Sequence, residues 1–341
     1  MDATGVQTLM WLSDERGPSG GPSPFNEYFD VVLADRNQAG GWSSSPTVVG
    51  TGHVWNARLA VNSSGAAVVT WGQSDGPRLN VYASYREAAG ADWTQTELVA
   101  KDASSGEVGI DDAGRVLLLL ARGNNKRTRT YAARRTPTGG WEVPRRLAGG
   151  DLGGDLTVGA NGSAVVLRSR IFYGSDSPRG SQFTLRMTPS GRWQPPVRQP
   201  ALTDAVVGRS LDMDAKGRVL LAWWVGPDLM VRRSRPNGVW RRPCVLAAGV
   251  ERPYSVDPDA QLAVNRRGDA LVIWANKGQV PELWARYKPH GQGWSSPVKV
   301  TRTSSPLGSY AADLGAEGHG AITWMPRNGR EIHVVRTSPT R

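Results

Sequence analysis

Apolar residues in this chain either alternate with polar ones over short stretches or run together for a few positions, and no stretch carries helical spacing between them. Alternation shows at Leu59 and Val61, Val108 and Ile110, Leu156 and Val158, and Leu262 and Val264. It predicts short strands, here called a. A few residues later comes a more continuously apolar strand, b, of which "VLLLL" at 116–120 is one. Between a and b a turn motif recurs seven times: "DATG" ending at Gly5, "NSSG" at Gly65, "DDAG" at Gly114, "GANG" at Gly162, "DAKG" at Gly217, "NRRG" at Gly268 and "GAEG" at Gly318. Five begin with Asp or Asn, whose side chain caps a turn, and all end in Gly, which accepts positive φ without steric cost. This is hairpin chemistry.

The rest of each unit repeats as well. Six residues after the Gly stands a tryptophan in five units (Trp11, Trp71, Trp223, Trp274, Trp324), with Leu120 and Arg168 in the other two. Strand c follows, as in "NVYASYRE" and "LWARYK", then a Gly-containing turn and a second tryptophan that opens strand d: Trp42, Trp93, Trp141, Trp193, Trp240 and Trp294. Strand d often carries Pro, which suits an edge because the missing N–H faces no partner. Four strands per unit of roughly 50 residues, about seven times over, predict an all-β fold: a seven-bladed β-propeller of four-stranded antiparallel blades. It is read as a single domain, 1–341, with blades near 1–48, 55–100, 105–149, 153–199, 208–247, 258–301 and 310–341. The tryptophans are then packing between blades.

The first unit lacks strand a and the last lacks strand d. "MDATGVQTLMW" at the start repeats the offsets of "MDAKGRVLLAWW", with Met1 matching Met213 inside a strand. One upstream segment of about 17 to 24 residues, by the spacing of the other units, would supply both missing strands in a closed ring. Met1 is therefore expected to be an internal methionine, in a full-length product that is secreted or held at the cell surface behind a signal peptide. The chain as it stands opens without a signal sequence.

The Asx-Gly turn and the tryptophans resemble bacterial propeller repeats of the TolB type, in which an "SPDG"-like turn joins strands a and b. They also resemble actinobacterial secreted propellers described as sialidase-like. The resemblance implies the fold. It departs from true sialidases, whose Asp box, Ser-x-Asp-x-Gly-x-x-Trp, lies between strands c and d, so no sialidase active-site residue carries over.

Chemistry is expected away from the repeated turns, on the face of the b–c and d–a loops. Two b–c loops are long: "LSDERGPSGGPSPFNEYF" after Trp11, and "RSRIFYGSDSPRGSQ" from Arg168. Seven residues before each motif Gly, where strand a enters near the axis, stand Arg58, Glu107, Asp155, Ser210, Gln261 and Ala311. Arg58, Gln261, His53, Trp55, Arg209, Asp257, Asp259 and Tyr310 are the candidate ligand-binding residues around a polar axial pocket, with Trp55 or Tyr254 as a stacking platform. Glu107 and Asp155, on adjacent blades, are the candidate acid and base of a glycosidase.

Net charge of +11 adds a second possible surface. Arginines gather on blade three (Arg122, Arg129, Arg134, Arg135, Arg145, Arg146, with Lys126 and Arg127) and on blade five (Arg232, Arg233, Arg235, Arg241, Arg242). Such surfaces attract polyanions. Yet 35 of the 41 basic residues are arginine, the bias that a GC-rich genome produces unselected. The expected partner is a carbohydrate or anionic polymer, nucleic acid is disfavoured, and a monomer is expected. No apolar run approaches a membrane span of roughly 20 residues. Cys244 is the single cysteine, so no internal disulfide forms, and the histidines neither show HExxH spacing nor converge. No metal and no cofactor are expected. The reading is a lectin-like extracellular binding module, with two alternatives open: a glycoside hydrolase or polysaccharide lyase at the axial mouth, and a protein-binding scaffold.

Overall fold

The computed structural model describes residues 6–13, 28–37, 39, 41–76, 78–123, 128–148, 152–172, 179–199, 207–251, 260–276, 282–302, 307–326 and 331–337. Every regular element among them is a β-strand, and the strands pair in chain order into seven antiparallel sheets. The first is β1 (Gln7–Ser13), β2 (Phe29–Arg36) and β3 (Thr47–Gly52). The second is β4 (Val54–Val61), β5 (Ala67–Asp75), β6 (Arg78–Arg86) and β7 (Glu97–Ala100). The third comprises β8 (Ser104–Ile110), β9 (Val116–Arg122), β10 (Arg129–Arg135) and β11 (Arg145–Arg146), and the fourth β12 (Leu152–Val158), β13 (Ala164–Phe172), β14 (Arg179–Met187) and β15 (Val197–Arg198). The fifth is β16 (Val207–Met213), β17 (Val219–Val225), β18 (Asp228–Arg233) and β19 (Cys244–Ala247). The sixth is β20 (Ala260–Val264), β21 (Ala270–Asn276), β22 (Glu282–Lys288) and β23 (Val298–Arg302), and the last β24 (Leu307–Leu314), β25 (Gly320–Pro326) and β26 (His333–Thr337). Seven antiparallel blades, three-stranded at the two ends, make the fold class a β-propeller. The chain divides into two compact units, Met1–Gln199 with blades one to four and Pro200–Arg341 with blades five to seven.

The apolar runs of strand b have a direct cause. Leu118 and Leu120 pack on Val81, Ala83 and Val99 of blade two, while Leu117 and Leu119 pack on Ala164, Val166 and Leu185 of blade four. In the second unit, Val272 and Trp274 face blade five, and Leu271 and Ile273 face blade seven. A strand covered on both faces needs apolar residues at every position, so alternation disappears. In blades two, six and seven the tryptophan six residues past the motif Gly points back: Trp71 onto Val31 and Leu33, Trp274 onto Leu220 and Trp224, Trp324 onto Ile273 and Leu283. Arg168, which takes that place in blade four, is fully buried and points the same way, donating from Nη1 to Leu147 O and Ala148 O (3.4 and 2.9 Å).

The Asx turns do more than cap. Asn62 Oδ1 accepts from the N–H groups of Ser64 and Ala66, and its Nδ2 donates to Asp111 O in the next blade (2.8 Å). Asn265 repeats the arrangement, with Oδ1 on the N–H groups of Gly268 and Asp269 and Nδ2 on Gly315 O (3.1 Å). Both side chains are buried, so these bonds replace water that cannot reach them.

Strand d begins later than the tryptophans imply. Trp42, Trp141, Trp193 and Trp240 each make one isolated bridge to the end of strand c. The ladder then resumes immediately after Pro46, Pro144, Pro196 and Pro243, and after Pro297 in blade six. Proline has no N–H to give the ladder, so pairing restarts behind it.

Candidate functional site

The innermost strands of the first unit, β4, β8 and β12, stand side by side and carry Arg58, Glu107 and Asp155. β16, β20 and β24 do the same in the second unit with Ser210, Gln261 and Ala311. Five of these six are in equivalent register: Arg58, Asp155, Ser210, Gln261 and Ala311 pair with Thr70, Leu167, Ala222, Ile273 and Thr323, each five residues past its motif Gly.

Glu107 departs from them because its strand opens with a β-bulge, the register slipping between Ser105 and Val108 so that Gly106 and Glu107 share one position opposite β9. The same slip occurs between Trp55 and Arg58, Leu152 and Gly154, Val207 and Ser210, and Leu307 and Ser309. A bulge adds twist and re-aims the side chains beside it. At Asn56 (φ 49°) and Gly208 (φ 53°) the chain enters the left-handed region to do so. The repeat contained a signal for this feature at four of the five slips, in Gly106, Gly153, Gly208 and Gly308, while the slip in blade two carries Asn56 instead.

The bulge turns Glu107 towards blade two. Its Oε1 accepts from Arg58 Nε at 2.9 Å, and the two side chains are 37% and 44% exposed. Arg58 Nη1 also donates to Ala57 O (3.1 Å), which orients the guanidinium. Its remaining donors, on Nη1 and Nη2, have no acceptor among the described residues. Asp155 is half-buried on the next inner strand.

His53 sits in the tight d–a connection between β3 and β4, where its carbonyl accepts from Ser74 N–H (3.1 Å). Its ring lies 4.1 Å, centroid to centroid, from that of Tyr28, which precedes β2 and is 45% exposed. Tyr28 was missed in the sequence because it belongs to no repeat position. Trp55 rests against Gly72, where a Cβ would come within 2.7 Å of its ring, so the indole fits only over bare backbone.

Other candidates are placed differently. Tyr310 is 4% exposed, and its hydroxyl accepts from Ala275 N–H (3.3 Å) in the wall between blades six and seven. Ser210 Oγ accepts from Leu262 N–H (3.1 Å), joining two inner strands of the second unit. Arg209 and Gln261 are half-buried on β16 and β20. Tyr254, Asp257 and Asp259 lie outside the described residues, as does most of the first long b–c loop. The second is shorter than expected, since β13 runs to Phe172 and β14 begins at Arg179.

Part of the arginine surface is tied down by the protein's own groups. Arg135 is 8% exposed, paired with Glu97 (3.3 Å) and stacked over Tyr85 (4.3 Å). Arg232 donates to Arg241 O (2.6 Å), and Arg233 to Asp214 (3.0 Å). Arg129, Arg145, Arg146, Arg235, Arg241 and Arg242 remain exposed, while Lys126 and Arg127 fall outside the described residues. Among the described residues no group of His, Cys, Asp and Glu is arranged to hold a metal ion, and no helix is long and apolar enough to cross a membrane.

No protein-family model matches the sequence, and comparison with curated proteins finds no match. Solved structures do match. A polysaccharide lyase of the ulvan lyase type aligns at 12% identity over 95% of this chain and 94% of that one, with a TM-score of 0.57. A Hadza microbial sialidase aligns at 12% over 91% and 73% (TM-score 0.55), and the Aleuria aurantia lectin at 12% over 84% and 93% (TM-score 0.53). At such identities the likeness is one of fold, and it agrees with the seven antiparallel blades: the chain is a β-propeller of the architecture seen in sialidases and polysaccharide lyases.

Proposed function

We propose that this chain is an extracellular carbohydrate-binding propeller whose site lies on the loop face of its first unit. The observation that carries this reading is the ring pair of exposed Tyr28 and half-buried His53, at the head of the same strand that presents Arg58 of the solvent-facing Arg58–Glu107 ion pair. Sugars are bound by such a combination: an aromatic face covers the C–H side of a pyranose, and a fixed guanidinium and carboxylate take its hydroxyls. The names of the structural neighbours support it, since one is a lyase bound to -[GlcA(1-4)Rha3S]- and another a lectin in complex with Fucalpha1-6GlcNAc.

Catalysis by Glu107 and Asp155 is the second reading. It is less favoured because one Glu107 oxygen is already committed to Arg58, whereas an acid–base pair needs its carboxyl groups turned to the substrate. The test is binding of the full chain to a glycan array at physiological and high salt, repeated with Tyr28→Ala and Arg58→Gln. A bound glycan whose affinity falls at least tenfold in each variant supports the site, and equal binding by all three proteins overturns it. Cleavage of that glycan, abolished in Glu107→Gln, would convert the binder into an enzyme.

A further inference from the structure

Several buried or half-buried carboxylates each hold one basic group. Asp35 holds Arg86, Glu97 holds Arg135, Asp111 holds Arg115, and Glu282 holds Lys299. One place in the second unit breaks this balance. Asp214, fully buried in the a–b turn of blade five, accepts the N–H groups of Lys216 and Arg218 on Oδ1 (both 3.0 Å). Its Oδ2 accepts from two guanidinium groups, Arg218 Nε (2.5 Å) and Arg233 Nη2 (3.0 Å). Lys288 approaches from blade six, its ammonium donating to Gln292 O. Burial, and after it the nearby Arg233 charge, hold this lysine below the usual range. His290 Nδ1 stands 3.5 Å from Arg218 Nη2. The neighbouring carboxylate, Asp269, is engaged by Asn265, Arg267 and the His290 N–H instead. Two guanidinium groups therefore share one carboxylate, with Lys288 adding a further basic group near Arg233.

The two guanidinium groups keep donors to offer to another anion. Arg218 and Arg233 are only 19% and 25% exposed, yet Arg218 Nη1 and Arg233 Nε and Nη1 have no acceptor among the described residues. Half-buried guanidinium donors are costly to leave without an acceptor, and charge-assisted bonds to an oxyanion satisfy several at once. Both guanidinium groups and Asp214 Oδ2 converge on Gly268, where a Cβ would lie 3.0 Å from the Nη2 of each arginine and 2.9 Å from the carboxylate oxygen, so a side chain there would crowd the cluster.

We propose that Arg218, Arg233 and Lys288, with His290 at the rim, form an oxyanion-binding site in the second unit, for a phosphate or sulfate group, separate from the proposed sugar site. Such a group arrives as a free ion or as an ester on an anionic polysaccharide. Two probes distinguish these sources: inorganic phosphate, and dextran sulfate with plain dextran as its control. Both are titrated calorimetrically at low salt into the full chain. The test variant is Arg233→Gln with Lys288→Gln, which spares the turn-holding Asp214 and Arg218. The control is Lys101→Gln with Arg78→Gln, which removes the same charge from exposed positions in the first unit.

Saturable phosphate binding that falls at least tenfold in the test variant and less than twofold in the control supports a free-ion site. The same pattern with dextran sulfate alone supports a polymer-borne ester. Equal losses in the two variants would reduce the effect to diffuse charge and overturn the proposal, as would the absence of binding to either probe. An unchanged melting temperature in the test variant excludes misfolding as the cause. Failure here leaves the carbohydrate reading intact, because the two rest on different residues.

Discussion

Single residues show how a basic chain uses its charges. Arg86 is 1% exposed and is held by Asp35, by Thr8 Oγ1 (2.6 Å), by Gly65 O (3.2 Å) and beneath the Trp93 ring (5.1 Å). It ties blade one to blade two. Arg86→Ala removes the cation from half-buried Asp35, which keeps only its bond from Thr8 Oγ1 (2.7 Å), and unfolding in denaturant is expected to show a loss of about 3 kcal/mol.

Asp269 makes a second case. Burial alone would raise its pKa, but hydrogen bonds from Asn265, the His290 N–H and Arg267, with the Arg267 charge, outweigh burial and lower it. A depressed folded-state pKa contributes stability that is complete above the unfolded value of about 3.9 and is lost as pH falls through the folded value. Asp269→Asn is therefore expected to be less stable than the parent at pH 7. The gap should narrow below about pH 4, which thermal melts across that range would measure.

At the scale of the element, the blades are set by how closely their inner strands approach. Gly109 on β8 faces Val158 on β12, where a Cβ would come within 2.4 Å of Cγ2. Gly109→Ala has no unfavourable φ to adopt, so its effect comes from separating the two strands, expected to cost about 1–3 kcal/mol. Gly76→Ala has open space around it but sits at φ 67°, and should act through backbone strain instead. Chemical denaturation gives both values, and trimming Val158→Ala beside Gly109→Ala, which removes the clashing Cγ2, should restore part of the loss for the steric case. The bulges belong to this scale too. A one-residue slip at the entry of β8 takes Glu107 out of register with Arg58 and Asp155, and turns an expected acid–base partner into one half of an ion pair.

For the whole molecule, the sequence was a good guide to repetition and a poor one to placement. The period of the Asx-Gly turns and the tryptophans was enough for seven antiparallel blades, because every unit solves one local problem: a hairpin, a strand covered on both faces and a water-exposed edge. Equivalent register at Arg58, Asp155, Ser210, Gln261 and Ala311 followed from the same period. The net charge of +11, read as an outer polyanion surface, is partly spent inside, where Arg86, Arg135 and Arg168 hold blades together.

What the amino-acid sequence determined by itself is therefore the local and the periodic: turn chemistry, strand alternation and the packing role of Trp71, Trp274 and Trp324, all fixed by neighbours within a few residues or one repeat away, whereas Trp42 stands 42% exposed. Only the tertiary structure decided which polar groups meet. Arg58 with Glu107, Tyr28 with His53, and Arg233 with Asp214 lie 49, 25 and 19 residues apart; the repeat aligns only the first pair, and the bulge, the connections and the blade contacts decide that each pair meets. The physical reason is that hydrophobic periodicity is set by burial, which every unit shares, whereas a site is made where units differ.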